Sequence, residues 1–322
     1  MTYRKLFEPR YGEVAPEVHI DAPLPDVGST DPSVIRTRFA NEVAADVNML
    51  LRRCNVYETM MEVKTKTFFT QCEGRTVPMR VYYPLTEGVH PLMVFYHGGG
   101  WTLHDPVVFD SITRSIARFG EITVVSVDYA LAPEWKYPAA PHDCYAALQW
   151  AKAHGADIGA DPENISICGD SAGGNLTAAV ALMSRDLNGP RISKQILIYP
   201  AVIQHVEQRL DSEKRYGNGD YFITIDTTSN RLSPFFEKPE EALEPYASPL
   251  LASSHAGLPP TCFISAECDP LLDQALMYAA KLEDACVPVE FHLYEGMIHG
   301  FLNMTYQKTF EAMQAICRFI NG

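Results

Sequence analysis

The chain lacks any long apolar run. No stretch of about 18 apolar residues occurs in its 322 positions, so no membrane-spanning helix is expected. Basic residues are scarce: 26 Lys and Arg stand against 40 Asp and Glu, for a net charge of -14. Such a surface repels phosphate backbones and anionic lipid, which excludes nucleic acid and membrane surfaces as main partners. The eight cysteines form no CxxC pair and show no His/Cys spacing of a metal site. No metal is expected, and Cys168, Cys262 and Cys268, in or beside expected core strands, read as reduced thiols of a cytoplasmic protein. Neither GxxxxGK(S/T) nor GxGxxG occurs, so no nucleotide cofactor, and no other cofactor, is expected. Met1-Thr2-Tyr3-Arg4-Lys5 opens like a signal peptide, but Glu8, Pro9, Arg10 and Glu13 occupy the place of its apolar segment.

What is present is an alternation of strands and helices. Residues 1 to about 32 are punctuated by Pro9, Pro16, Pro23, Pro25 and Pro32. A helix should follow, with Asp31 as N-cap and Pro32 at its first position. Ile35, Phe39, Val43, Val47 and Leu51 give it one apolar stripe, which must cover a core formed later in the chain. Residues 1–56 are therefore read as the N-terminal part of a cap. Val63 to Gln71 and Val77 to Tyr83 flank a turn at Glu73-Gly74-Arg75 and predict a hairpin. Leu92 to Tyr96, Ile122 to Val127, Ile165 to Cys168, Gln195 to Tyr199, Thr261 to Ala266 and Val289 to Tyr294 read as further strands. Ser111 to Phe119, Asp143 to His154, the run after Ser171, Leu271 to Ala285 and Thr305 to Ile320 read as helices. This order predicts an α/β fold, a mostly parallel sheet with helices on both faces. About sixty residues separate Tyr199 from Thr261, far more than an ordinary connection. Residues 202–246, with Tyr221, Phe222, Ile223, Phe235 and Phe236 to bury, read as a cap insertion. The core then comprises residues 57–201 and 247–322.

The chemistry gathers around Gly169-Asp170-Ser171-Ala172-Gly173. A strand precedes it and helix formers follow, the setting of a nucleophile elbow. A serine hydroxyl attacks well only when held in the open beside a base. The base should come last in the chain, on a loop beyond a strand's C-terminal end. His299, in Glu295-Gly296-Met297-Ile298-His299-Gly300, fits; His292, inside a strand, is the alternative, and His205 and His255 precede the expected acid. Asp269, directly after the strand Thr261 to Ala266, is the best orienting acid, with Asp273 and Glu267 as rivals. Gly98-Gly99-Gly100 follows a central strand where its backbone amides, with that of Ala172, could hold a developing oxyanion.

Taken together, His97-Gly98-Gly99-Gly100-Trp101, Asp128-Tyr129-x-Leu131-Ala132-Pro133-Glu134, Gly169-Asp170-Ser171-Ala172-Gly173-Gly174, Asp269-Pro270-Leu271 and His299-Gly300-Phe301 resemble the hormone-sensitive lipase family of α/β-hydrolases. Around Leu258-Pro259-Pro260 and Ala266-Glu267-x-Asp269-Pro270-Leu271-Leu272-Asp273 the chain is most similar to bacterial acetyl esterases. The resemblance runs from about Val77 to the C-terminus. It implies an α/β-hydrolase fold with a helical cap, and a triad of Ser171, Asp269 and His299. It also implies oxyanion donors at Gly99, Gly100 and Ala172, and substrate contacts at Trp101, Asp170 and Tyr199. Leu272 and Gln274 depart from the charged residues many relatives carry near the acid. The expected activity is a serine carboxylesterase acting on a small-molecule ester, from acetyl to butyryl, with a homodimer allowed. An amidase or formamidase would use the same triad, and a ligand-binding relative would typically have lost the histidine.

Overall fold

A computed structural model describes residues 62–204, 208–225, 234–304 and 307–322. The expected N-terminal cap, residues 1–56 with its helix, lies outside the described residues. Eight strands form one sheet: β1 (Lys64–Cys72), β2 (Arg75–Tyr83), β3 (His90–Tyr96), β4 (Thr123–Val127), β5 (Ala160–Asp170), β6 (Lys194–Ile198), β7 (Thr261–Cys268) and β8 (Val289–Ile298). Their spatial order is β1-β2-β4-β3-β5-β6-β7-β8. The expected hairpin pairs β1 with β2 antiparallel, β2 meets β4 antiparallel, and every other pair is parallel. The helices are α1 (Asp110–Gly120), α2 (Ala139–His154), α3 (Ala172–Asp186), α4 (Asp211–Tyr216), α5 (Leu272–Asp284) and α6 (Gln307–Asn321).

The period of two along each strand divides the core into two layers. Leu92, Val94 and Tyr96 of β3 face α2 and α3 and share one core cluster with Leu148 and Leu176. Met93 and Phe95 face the other way, toward Ile112 and Ile116 of α1 and Ile316 of α6. A central strand covered on both faces has no polar side to show, which is why β3 and β4 read as continuous apolar runs.

Several boundaries differ from expectation: β5 begins at Ala160, five residues before Ile165, and β3 and β7 are each two residues longer than their apolar runs. Helix α2 begins at Ala139, four residues before Asp143. Pro141 falls in its first turn, where a missing N–H removes no helical hydrogen bond. Strand β8 runs on to Ile298 rather than stopping at Tyr294. The register shifts between Ala266 and Cys268, and the Gly296 amide donates to Glu267 Oε2 at 2.6 Å. The irregularity lets β8 continue to the residue before His299.

The long connection between β6 and β7 leaves the C-terminal edge of the sheet. It holds α4, a short bridge between Asn218 and Thr224, and one-turn helices at Pro239–Leu243 and Pro249–Leu251. Of the residues expected to be buried there, Phe235 and Phe236 are, whereas Tyr221 and Ile223 are half-buried and Phe222 is exposed. Asn175 in α3 ties both of its ends down, its amide donating to the carbonyls of Ala201 and Ala247 at 2.8 Å each.

Candidate active site

At the end of β5 the chain turns so tightly that glycine is required. Gly169 and Gly173 cross almost in contact. A Cβ on Gly173 would stand 1.9 Å from the Tyr96 carbonyl oxygen, and one on Gly169 2.3 Å from that of Gly173. Between them Ser171 takes φ 55° and ψ -117°, a conformation that side chains rarely hold. Its amide donates to the Ile198 carbonyl at 2.8 Å, fixing the turn to the next strand. The strain lifts the hydroxyl off the sheet and places it at the first turn of α3, whose free N-terminal amides favour negative charge.

Three strand ends converge on that hydroxyl. His299 Nε2 lies 2.8 Å from Ser171 Oγ, and His299 Nδ1 lies 2.8 Å from Asp269 Oδ2. With a neutral imidazole, Ser171 donates to Nε2 and Nδ1–H donates to the carboxylate. Asp269 is buried and its second oxygen accepts from the Leu271 amide at 2.8 Å, so the carboxylate cannot rotate freely. The rivals are occupied elsewhere. Asp273 accepts from the Ser212 amide at 2.8 Å, Glu267 takes the Gly296 amide, and His292 lies 2.6 Å from Glu290. His255 bonds the Pro249 carbonyl at 3.0 Å, and His205 lies outside the described residues. Tyr199 packs its ring 4.7 Å from that of His299 and is buried.

The glycine loop after β3 is held at one residue, Gly98. The Gly98 amide donates to Asp170 Oδ1 at 2.8 Å, and its carbonyl meets His97 Nδ1 at 2.8 Å. His97 is itself stacked on Tyr129, ring centres 4.3 Å apart, and the Tyr129 hydroxyl donates to the His97 carbonyl at 2.6 Å. Burial holds His97 neutral, its pKa down at about 3, so Nδ1 donates. Burial pushes the Asp170 carboxyl up to about 7, against the opposing pull of the Gly98 amide. Gly99 has φ 126°, and a Cβ there would lie 2.4 Å from the Leu103 carbonyl; Gly100 has φ 59°. Among the described residues neither amide donates to a backbone acceptor. The loop's anchor, Asp170, is the residue before Ser171, and Ala172 is the one after it.

Trp101 follows with φ 60° and stacks on Phe235, ring centres 4.7 Å apart. The loop and the excursion therefore share a wall. Asp170 and Tyr199, expected among the substrate contacts, have other partners: the first anchors Gly98, the second braces the imidazole. Their burial explains the difference, since neither side chain reaches open space. Several residues escaped the sequence reading. His97 and Tyr129 lie inside the His97–Trp101 and Asp128–Glu134 motifs, but nothing local shows that they pair with each other. Asn175 and Ser212 gave no signal, because their partners lie 26 to 72 residues away. Gln274, noted as a departure near the acid, accepts from the Ile203 amide at 3.2 Å and so helps to seat the excursion.

A mostly parallel sheet with a serine at a β5–α3 elbow and an acid and a histidine at the ends of β7 and β8 defines an α/β hydrolase. A family model described as the alpha/beta hydrolase fold matches residues 93–303. An arylesterase of Saccharolobus solfataricus is 35% identical over 262 residues, spanning 81% of this chain and 84% of that one. An ethyl acetate hydrolase of Pseudomonas putida is 32% identical over 241 residues, 73% of this chain and 74% of its own. The solved structure of a hyperthermophilic esterase from Pyrobaculum calidifontis superposes with a TM-score of 0.82 at 34% identity, covering 90% of this chain and 93% of the other. The chain belongs to the hormone-sensitive lipase-like family of α/β hydrolases and is a carboxylic ester hydrolase. None of the described helices is long and apolar enough to cross a membrane.

Proposed function

We propose that this chain is a serine carboxylesterase that cleaves short-chain acyl esters, acetyl to butyryl, through an acyl-enzyme. The observation that carries the reading is the continuous line Asp269–His299–Ser171, with 2.8 Å at each step. Ser171 Oγ attacks the ester carbonyl carbon while His299 Nε2 takes its proton. The carbonyl oxygen becomes an oxyanion, bound by the amides of Gly99, Gly100 and Ala172. The carbon–oxygen bond to the alcohol then breaks, and His299 returns the proton to the leaving alkoxide. A water repeats the sequence in reverse, freeing the acid and Ser171. Asp269 keeps the imidazole in the required tautomer throughout.

Residues 202–246 act as a cap over this chemistry, with residues 1–56 as its second part. The Trp101–Phe235 stack and Phe222, whose ring lies against Gly300, support a closed acyl pocket. The ethyl acetate hydrolase relative supports the same short range. The described cysteines are free thiols, which supports a cytoplasmic setting.

A panel of p-nitrophenyl esters from acetyl to dodecanoyl, read as kcat/KM, tests the proposal. The maximum should fall between acetyl and butyryl, with a steep decline beyond about six carbons. Preference for decanoyl esters would refute the closed pocket. Anilide analogues run in parallel separate esterase from amidase, and no turnover of either class would leave a binding protein.

A further inference from the structure

The end of the sheet away from Ser171 carries a second cluster of reactive side chains. Cys262 lies near the start of β7, and Glu290 and His292 lie near the start of the edge strand β8. Cys262 and Glu290 are register partners, and His292 sits two residues beyond Glu290, paired with Ile264. Side chains two apart on a strand share a face, so the three project from one side of the sheet. The Cys262 sulfur, a Glu290 carboxylate oxygen and a His292 ring nitrogen all lie within 4.8 Å of one another. Cys262 is buried, while Glu290 and His292 reach solvent, giving the cluster a closed floor and an open mouth.

We propose that Cys262, Glu290 and His292 form a binding site for a divalent transition metal ion, best matched by Zn²⁺, with water completing the tetrahedron. The argument is one of donor chemistry and spacing. One sulfur, one imidazole nitrogen and one carboxylate oxygen make a borderline-soft set, which suits zinc and not magnesium or calcium. At zinc bond lengths of about 2.0 to 2.3 Å, donors stand roughly 3.5 Å apart, so small side-chain adjustments close the site. His292 Nε2 and Glu290 meet at 2.6 Å, a hydrogen bond that metal binding would break: the imidazole proton moves from Nε2 to Nδ1, which frees Nε2 and the carboxylate oxygen for the ion. Metal binding forms the sulfur–zinc bond and releases the Cys262 thiol proton to solvent. Lys194 is a neighbouring cation, but its ammonium is held by the Phe319 and Ile320 carbonyls at the end of α6. No sequence motif marks the site, because strand pairing rather than chain spacing assembles it. Its position has a consequence: the ion would clamp the start of β7 to that of β8, the two strands whose far ends carry Asp269 and His299.

The test uses the full chain, stripped with EDTA and titrated calorimetrically with zinc chloride. One saturable equivalent is expected, with an enthalpy that depends on the buffer because a proton leaves, and with a higher Tm. Glu290→Gln and His292→Gln, both partly exposed and safe for folding, should each weaken affinity by at least about tenfold. With Co²⁺ in place of Zn²⁺, a thiolate charge-transfer band should appear, vanish in Cys262→Ser and survive in Cys286→Ser, which removes an exposed thiol. Absence of saturable binding overturns the proposal. So does binding that His292→Gln leaves unchanged, or that His299→Ala abolishes.

Discussion

The turn from Cys168 to Asn175 and the excursion from Ala201 to Ala247 lie against each other yet are fixed by different forces. In the turn, backbone meets backbone: the Cβ positions of Gly169 and Gly173 are already filled by carbonyl oxygens. Nothing there can shift by an ångström without breaking the strand pairing on both sides. The excursion is seated by side chains. Ser212 donates to the Pro270 carbonyl at 2.8 Å, its amide to Asp273, and Phe235 stacks on Trp101. Side-chain contacts can be exchanged for others of similar volume, whereas backbone crossings cannot. The rigid turn is therefore suited to hold reacting atoms, and the excursion to vary the shape of what reaches them.

Substitutions can break this division. The largest effect should come from the turn itself. Ser171→Ala should abolish labelling by organophosphates and lower kcat by about 10⁶, with unchanged circular dichroism. Asp269→Asn should cost about 10⁴ by holding the wrong imidazole tautomer. Both losses should be equal for acetyl and butyryl esters. A loss that depends on acyl length would tie the turn to selectivity and erase the contrast.

A smaller effect is expected where the turn holds the glycine loop. Asp170→Ala frees the Gly98 amide, and a misplacement of about 1 Å in the oxyanion donors costs about 10². That loss should fall on kcat, with KM nearly unchanged. Asp170→Asn keeps an acceptor oxygen and should recover most of it. A change confined to KM would return Asp170 to the substrate contacts.

The excursion should respond differently. Phe222 is exposed, yet its ring lies against Gly300, next to His299. Phe222→Ala should alter the ratio of kcat/KM between butyryl and octanoyl esters by about tenfold, within the range one pocket contact supplies. Acetyl turnover should stay near wild type. If every ester slows equally, Phe222 positions His299 and the excursion shares in the chemistry.

A last effect falls on stability against pH rather than on turnover. His97 is held neutral down to about pH 3, whereas an unfolded chain protonates it near its ordinary 6.5. Between those values the unfolded state binds a proton that the folded state does not. Stability due to this group is therefore full above about 6.5 and falls as pH drops toward 3, by up to about 1.4 kcal/mol per pH unit. Urea unfolding across this window should show a shallower slope for His97→Asn, whose amide can still donate to Gly98. Equal slopes would mean that His97 protonates in the folded protein and that the loop is looser than its contacts imply.

Local rules were enough to make much of this legible. Short continuous apolar runs mark the central strands, and Gly169-x-Ser171-x-Gly173 marks the elbow, because close backbone crossing leaves only glycine. The position of His299 and Asp269 after late strands followed from where parallel strands must end. The inner ends of α2 and β8 were misjudged because a proline in a first turn and a bulge at Gly296 both look like terminators until their partners are known.

By itself the sequence determined which residue types could react and in what order along the chain. It also determined that the sheet would be mostly parallel, since continuous apolar runs must be covered on both faces. Only the tertiary structure decided which carboxylates were free to act. Asp269, Asp273, Glu267 and Asp170 are chemically alike, and each is assigned by the amide or imidazole that happens to meet it. Those partners lie 29 to 72 residues away in the chain, beyond the reach of any local pattern, and packing alone brings them within hydrogen-bond distance.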